Sequence, residues 1–353
     1  MTFNPSSSSK VLVRATNWLG DAVMSLPAIR AIREIFPHAH LAVLGRSWLA
    51  DLYAREKSID SVIPYPALNG LSPRRDFAAQ LRTLRFDCAI LLQNAFDAAL
   101  ITWMAGIPER IGYAREGRGI FLTRPVPVPE PGDIPRHERF YYLELLRRAG
   151  MMERFPAAAA IRLDGIEDSR VCGAAHLAAM GTEGPVIGIS PGAAYGNAKR
   201  WLPERFAESA AQLPEENSFL IFGSAAEREL CQTVAADLDR AGRRVRNLAG
   251  ETSLREFLDL VAACRLVLTN DSGAMHVASA LGVPTVTIFG ATDDTTTGPT
   301  GPLARIVREH AECAPCLLRE CPIDHRCMTR VTSARVALVA RDLLTTVHTE
   351  SRP

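Results

Sequence analysis

Four short loops in the second half of the chain carry residue types suited to holding a phosphorylated ligand. In VLTNDSGAMHVASALGVPTVTIFG, residues 267–290, an apolar run ends in Thr269, Asn270 and Asp271, after which Met275, Ala278, Ala280 and Leu281 fall on one helical face. Asp271, Ser272 and Gly273 therefore stand at a helix N-terminus, where unpaired backbone N–H groups and the positive dipole end favour an anion. The competing reading is that Asp271 and Ser272 only cap the helix. SPGAAYGNAKRW, residues 190–201, leaves a strand through a glycine-bearing loop that ends at Lys199 and Arg200, and a lysine there can neutralise a diphosphate as a point charge. IFGSAAERE places Gly223, Ser224 and Glu227 at the next strand end, where a carboxylate can accept hydrogen bonds from ribose hydroxyls; NLAGETSL adds Gly250 and Thr252 at another. All four loops fall on the carboxyl edge of one sheet, the edge at which open α/β sheets take their ligands.

The first half offers less. Asp21 ends NWLGD at the carboxyl end of the first strand, KVLVRAT, and either faces a ligand or complements the dipole of the helix it opens. Between 107 and 135 the pattern breaks into Gly- and Pro-rich pieces carrying Arg110, Arg115, Arg118 and Arg124; each fits solvated surface, and the set could also grip an anionic substrate bidentately. Cys313, Cys316, Cys321 and Cys327 form C-x2-C-x4-C-x5-C near His310 and His325, a candidate structural zinc site of which only the first spacing matches a standard half-site. The remaining cysteines are scattered among apolar segments, as small core residues are.

The elements that must position these groups alternate strand and helix from Lys10 onward, which predicts mostly parallel sheets covered on both faces. With 353 residues the chain exceeds one ordinary core. The expected division is a first domain at 1–165, a linker helix region at 166–184, a second domain at 185–331 and a final helix at 332–353 that could cross back to the first domain. A Ser-rich start is expected to lack order. Forty basic against 39 acidic residues, net +1, argue against a nucleic-acid partner. No secretory h-region or long apolar span is present, which places the protein in the cytoplasm. Neither a P-loop nor a GxGxxG after a strand occurs, against a P-loop ATPase or a nicotinamide enzyme.

NWLGD at 17–21, PGAAYGNAKRW at 191–201 and NDSGAMHVASALGVPTVTIFG at 270–290 resemble the lipopolysaccharide heptosyltransferases of glycosyltransferase family 9, and the PGA…AKRW string is closer to the family's type II members than to its type I members. The resemblance covers nearly the whole chain. It implies a GT-B fold, two Rossmann-like doubly wound domains facing across a cleft, and an inverting, metal-independent transfer. The donor implied is ADP-L-glycero-β-D-manno-heptose, and the acceptor the first heptose of the lipid-linked inner core. No cofactor is implied, and the partners are the nucleotide sugar, the lipid-linked oligosaccharide and the cytoplasmic membrane face touched peripherally. By matching positions Asp21 is the general base, Lys199 lies on the donor phosphates, Glu227 near the ribose and Thr252 near the adenine; Asp271, Ser272, Gly273 and His276 form the donor-binding turn. Arg115 and Arg118 are the acceptor-side candidates. The alternatives are type I transfer to the heptose-free lipid acceptor, a nucleotide-sugar epimerase on the same fold, or a non-catalytic nucleotide-sugar-binding module.

Overall fold

The structure, a computed structural model, describes residues 8–157 and 160–350. The Ser-rich start lies largely in residues 1–7, outside the described residues. The chain divides into two compact units between Ala159 and Ala160.

In the first unit six strands, β1 (Lys10–Arg14), β2 (His40–Arg46), β3 (Ser61–Tyr65), β4 (Cys88–Leu91), β5 (Glu109–Tyr113) and β6 (Arg124–Val126), pair in parallel in the order β3-β2-β1-β4-β5-β6. Their connections carry helices α1 (Leu19–Ile35), α2 (Ala50–Ala54), α3 (Leu71–Thr83), α4 (Phe96–Met104) and α5 (Arg139–Arg148). Val11, Leu12 and Val13 are wholly buried, as a strand covered on both faces requires. The reversal of strand order falls between β1 and β4, so whatever follows β1 lies at the switch point where such sheets bind ligands. Asp21 follows β1, in the first turn of α1.

The second unit repeats the plan. Helix α6 (Ile166–Ala179) precedes β7 (Val186–Ser190), α7 (Pro203–Ala211), β8 (Ser218–Ile221), α8 (Arg228–Arg240), β9 (Val245–Asn247), α9 (Leu254–Ala262), β10 (Leu266–Asn270), α10 (Gly273–Ala280), β11 (Thr285–Ile288), α11 (Asp294–Thr297), β12 (Ala304–Val307), α12 (Arg326–Thr329) and α13 (Ser333–Glu350). The parallel order β12-β11-β10-β7-β8-β9 is the first sheet's order read backwards, with its switch point between β7 and β10. The phosphate-loop candidates after β7 and β10 flank that point. The largest buried side chain is Trp201, whose ring meets Phe206 edge-on at 4.9 Å over a core built from β7, β8, β10 and the helices covering them.

Two expectations about organisation change. The 166–184 stretch is not a separate linker: α6 packs along α9 so closely that a Cβ on Gly173 would overlap the Asp259 backbone, and Ser169 donates to the Asp259 carboxylate, which places this helix in the second unit. Nor is 107–135 irregular throughout, since β5 and β6 lie within it; Arg, Gly and Pro in ERIGY and RPV hid strands too short to show a period. Helix α13 packs against α7, β11 and β12 of its own unit. Among the described residues no helix is long and apolar enough to cross a membrane.

Candidate active site

The loops after β7 and β10 are tied together by a buried amide. Asn270, fully buried at the end of β10, accepts from the Trp201 backbone N–H at 3.0 Å and donates to the Pro191 carbonyl at 2.7 Å. One side chain thereby satisfies groups that the strand ends leave open. It also fixes where the next residue points: Asp271, 4% exposed, receives the Lys199 ammonium at 2.6 Å and the Thr292 hydroxyl on the same oxygen, Oδ2. Lys199 Nζ stands 4.9 Å from the centre of the Tyr195 ring, a second favourable contact for the charge.

Capping does not describe this turn. Ser272 is the N-cap of α10 by position, in extended backbone, but its side chain makes no capping bond and its hydroxyl lies 3.2 Å from that of Thr269. The Asp271 carboxylate is held by Lys199 and Thr292 instead. The first N–H groups of α10, from Gly273 on, thus lack a side-chain cap beside an ammonium that is already positioned, the electrostatic setting of an anion site. His276 is buried in the first turn of α10.

Glu227 is less free than its sequence position suggests. Its Oε2 accepts from the Ser224 N–H at 2.9 Å and the Ser224 hydroxyl at 2.8 Å, closing a capping box, while Oε1 lies 3.9 Å from an Arg200 nitrogen. Gly192 carries no side chain for a physical reason: a Cβ there would overlap this carboxylate. Of its two oxygens, Oε2 takes both Ser224 bonds and Oε1 takes neither. Thr252 is half-buried in the turn between β9 and α9, next to the Ser253 N-cap, and no hydrogen bond assigns it a task.

At the switch point of the first unit Asp21 is half-buried on α1, which packs on α5. Glu138, the N-cap of α5, is within electrostatic reach of it: burial first, then the Asp21 charge, pushes the Glu138 carboxyl up to about 7, with Arg115 pulling the other way. The buried Tyr53 and Tyr142 hydroxyls are also pushed up, by burial and in part by Asp21. Sequence reading missed Glu138, because no local pattern links a loop glutamate to an aspartate on another helix. It also missed Arg14, 3% exposed at the end of β1. There the guanidinium bonds the Ala15 carbonyl and, at 3.1 Å, Asn17 Oδ1, and lies 4.2 Å over the Tyr65 ring; burial pushes it down to about 10. A charged residue closing an otherwise apolar strand was the available signal.

Two candidates change standing. Arg118 is wholly buried and does not reach outward; its guanidinium donates to the Tyr113, Gln93 and Ala95 carbonyls and to Asn94 Oδ1, so it ties its loop to the end of β4. Arg115 remains exposed, 3.7 Å from Glu116. For the zinc expectation, no group of three or more His, Cys, Asp or Glu side chains among the described residues is placed to hold a metal ion. Cys313, Cys316, Cys321 and Cys327 are free thiols, and Cys327, the buried one, is pushed up by burial and by the other three. Their segment also braces the Lys199 loop: the Arg319 carbonyl accepts from the Ala198 N–H, the Leu317 carbonyl from the Tyr195 hydroxyl, and Asn197 Oδ1 from the Cys321 N–H.

Paired doubly wound units, one holding a lysine beside an open helix start at its switch point, are the two-domain α/β plan of the GT-B class. The chain belongs to glycosyltransferase family 9, the heptosyltransferases, whose family model matches residues 74–326. It is 35% identical over 309 residues to lipopolysaccharide heptosyltransferase 2 of Escherichia coli, covering 85% of this chain and 88% of that protein. To lipopolysaccharide heptosyltransferase 1 of Pseudomonas aeruginosa it is 25% identical over 330 residues, 88% and 87% of the two chains. The solved structure of E. coli ADP-heptose lps heptosyltransferase II superposes with a TM-score of 0.83 at 32% identity, over 96% of this chain and 99% of that one. The family resemblance and the two-unit α/β expectation are both borne out.

Proposed function

We propose that this enzyme transfers L-glycero-D-manno-heptose from ADP-heptose onto the first heptose of the lipopolysaccharide inner core, with inversion. The observation that carries the donor side is the Lys199–Asp271 pair beside the N-terminus of α10. In the reaction the acceptor oxygen forms a bond to the anomeric carbon while the bond from that carbon to the diphosphate oxygen breaks. Asp21 takes the proton as the acceptor hydroxyl attacks. Lys199, held in place by Asp271, and the N–H groups opening α10 offset the charge that collects on departing ADP. Glu227 Oε1 meets a ribose hydroxyl, Thr252 lies by the adenine, and His276 supports the turn from within α10. Arg115 faces the anionic acceptor.

The higher identity to a type 2 relative than to a type 1 relative supports an acceptor that already carries one heptose. The test offers the protein ADP-heptose with lipid acceptors bearing no heptose or one. Extension of the one-heptose acceptor is expected; extension of the heptose-free acceptor alone would replace type II by type I transfer, and donor turnover without either acceptor would favour an epimerase.

A further inference from the structure

Two of the chain's four tryptophans stand half-exposed on the ligand edge of the first sheet, Trp18 at 54% and Trp48 at 49%. Trp18 follows β1 and Trp48 follows β2, its parallel neighbour, each four residues beyond the register pair of Arg14 and Leu44. The two turns lie together. The buried Tyr53 of α2 packs its ring over Gly45 near the end of β2, where a Cβ would stand 3.2 Å from that ring and 3.8 Å from Ala15 beyond β1. Among the described residues neither indole stacks on another ring or donates a hydrogen bond. Apolar ring surface left in water is free energy that a covering ligand would recover.

Trp18 occupies a position that its own chemistry does not explain. It is the N-cap of α1, in extended backbone, where Ser, Thr, Asp or Asn would accept from the helix; an indole has no acceptor and makes no capping bond. The turn nevertheless holds it in place. Its carbonyl accepts from the Ala22 N–H at 2.8 Å, and Asn17 before it receives the buried Arg14 guanidinium at 3.1 Å. Asp21 follows three residues later in the first turn, so the two are neighbours on one side of the helix start, at the spacing across which a capping box closes. Whatever covers the Trp18 ring lies beside Asp21.

We propose that Trp18 is a specificity-determining platform for the acceptor, stacked under the pyranose ring whose hydroxyl Asp21 deprotonates, with Trp48 under a neighbouring ring of the same oligosaccharide. A pyranose turns a face of C–H bonds outward, and the electron-rich face of an indole attracts those hydrogens while the sugar hydroxyls stay free at the rim. Stacking of this kind fixes the plane of the ring, which sets the direction in which its hydroxyl meets the base. The inference rests on the transferase reading and deepens it, by naming the side chains that select a sugar ring as the acceptor.

The test is steady-state kinetics of the full chain with the one-heptose acceptor varied at saturating ADP-heptose, for the wild type, Trp18→Leu, Trp18→Phe and Trp48→Leu. Trp18→Leu should lower acceptor kcat/KM about tenfold, mostly through KM, Trp48→Leu should lower it less, and Trp18→Phe, which keeps an aromatic face, should stay within about threefold of the wild type. The ADP-heptose Kd and the urea midpoint should hold, since the replaced ring is exposed. Fluorescence gives a direct reading: the delipidated acceptor oligosaccharide, without donor, should change the wild-type indole emission, and much of that change should vanish in Trp18→Phe. An unchanged acceptor KM in folded Trp18→Leu overturns the proposal. So does a joint loss of acceptor KM, donor affinity and stability, which would make Trp18 a structural residue. Should no acceptor be extended while the oligosaccharide still alters Trp18 emission, the platform stands and the transferase reading fails.

Discussion

The two switch points are built on one strand order and treat charge in opposite ways. In the second unit the cation and the carboxylate are already matched, Lys199 on Asp271, and a buried amide fixes the loops that carry them. In the first unit burial acts on the titratable groups instead: Glu138 is pushed up to about 7 by burial and by Asp21, and Arg14, at the end of β1, is pushed down by burial. The second site resembles a receptacle whose electrostatics are set before the ligand arrives, which costs no reorganisation during the reaction. The first resembles a place where a proton can move, because burial raises the affinity of the Glu138 carboxyl for it.

The largest effect should come from breaking the proton-handling side. Asp21→Asn keeps shape and hydrogen-bonding capacity and removes the proposed base, so turnover should fall by about 10³-fold with donor affinity little changed. Single-turnover rates beside ADP-heptose titration would show it. Retention of most of the rate in a folded variant would move the base elsewhere, Glu138 being the group to examine next.

Breaking the matched side should look different. Lys199→Met leaves Asp271 buried without its cation, so the variant should lose donor affinity, lose about 10²-fold in turnover and also be destabilised by about 3 kcal/mol. Adding Asp271→Asn to Lys199→Met removes the stranded charge. Urea midpoints should then recover much of their loss while donor binding stays weak, which separates the binding role of the lysine from its structural one. If donor affinity returned with stability, Lys199 would be a positioning residue only.

The difference between the sites also explains what could be read from the chain. The second unit's residues sit in loops next to the strands that position them, so Asp271, Lys199 and Glu227 were legible from glycine, small residues and charge at successive strand ends. What they touch was not. That Glu227 closes a capping box against Ser224, and that Gly192 exists to admit its carboxylate, depend on contacts between loops. In the first unit Asp21 was legible for the same local reason, whereas Glu138 meets it only because α5 folds back onto α1. Arg118 misled because an arginine's type records its charge and not its partners; here those partners are backbone carbonyls left open at the end of β4. Strands β5, β6 and β12 are three to five residues long, too short for periodicity, and are held in register by neighbours.

The smallest effect expected tests whether the first site holds a proton at all. The folded chain binds the Glu138 proton more tightly than an unfolded chain would, since the carboxyl rises from 4.5 to about 7. A raised carboxyl contributes its full stability below the unfolded value and loses it as pH climbs through the folded one. Wild-type stability should therefore decline between about pH 5 and about pH 8, by on the order of 1 kcal/mol given that Glu138 is only half-buried. Glu138→Gln, which cannot ionise, should show a flatter profile, and Asp21→Asn a partly flattened one because one cause of the shift is gone. Urea midpoints measured across that range for the three proteins decide the matter. Parallel profiles would mean that Glu138 is solvated in both states, and the first site would then hold no raised carboxyl.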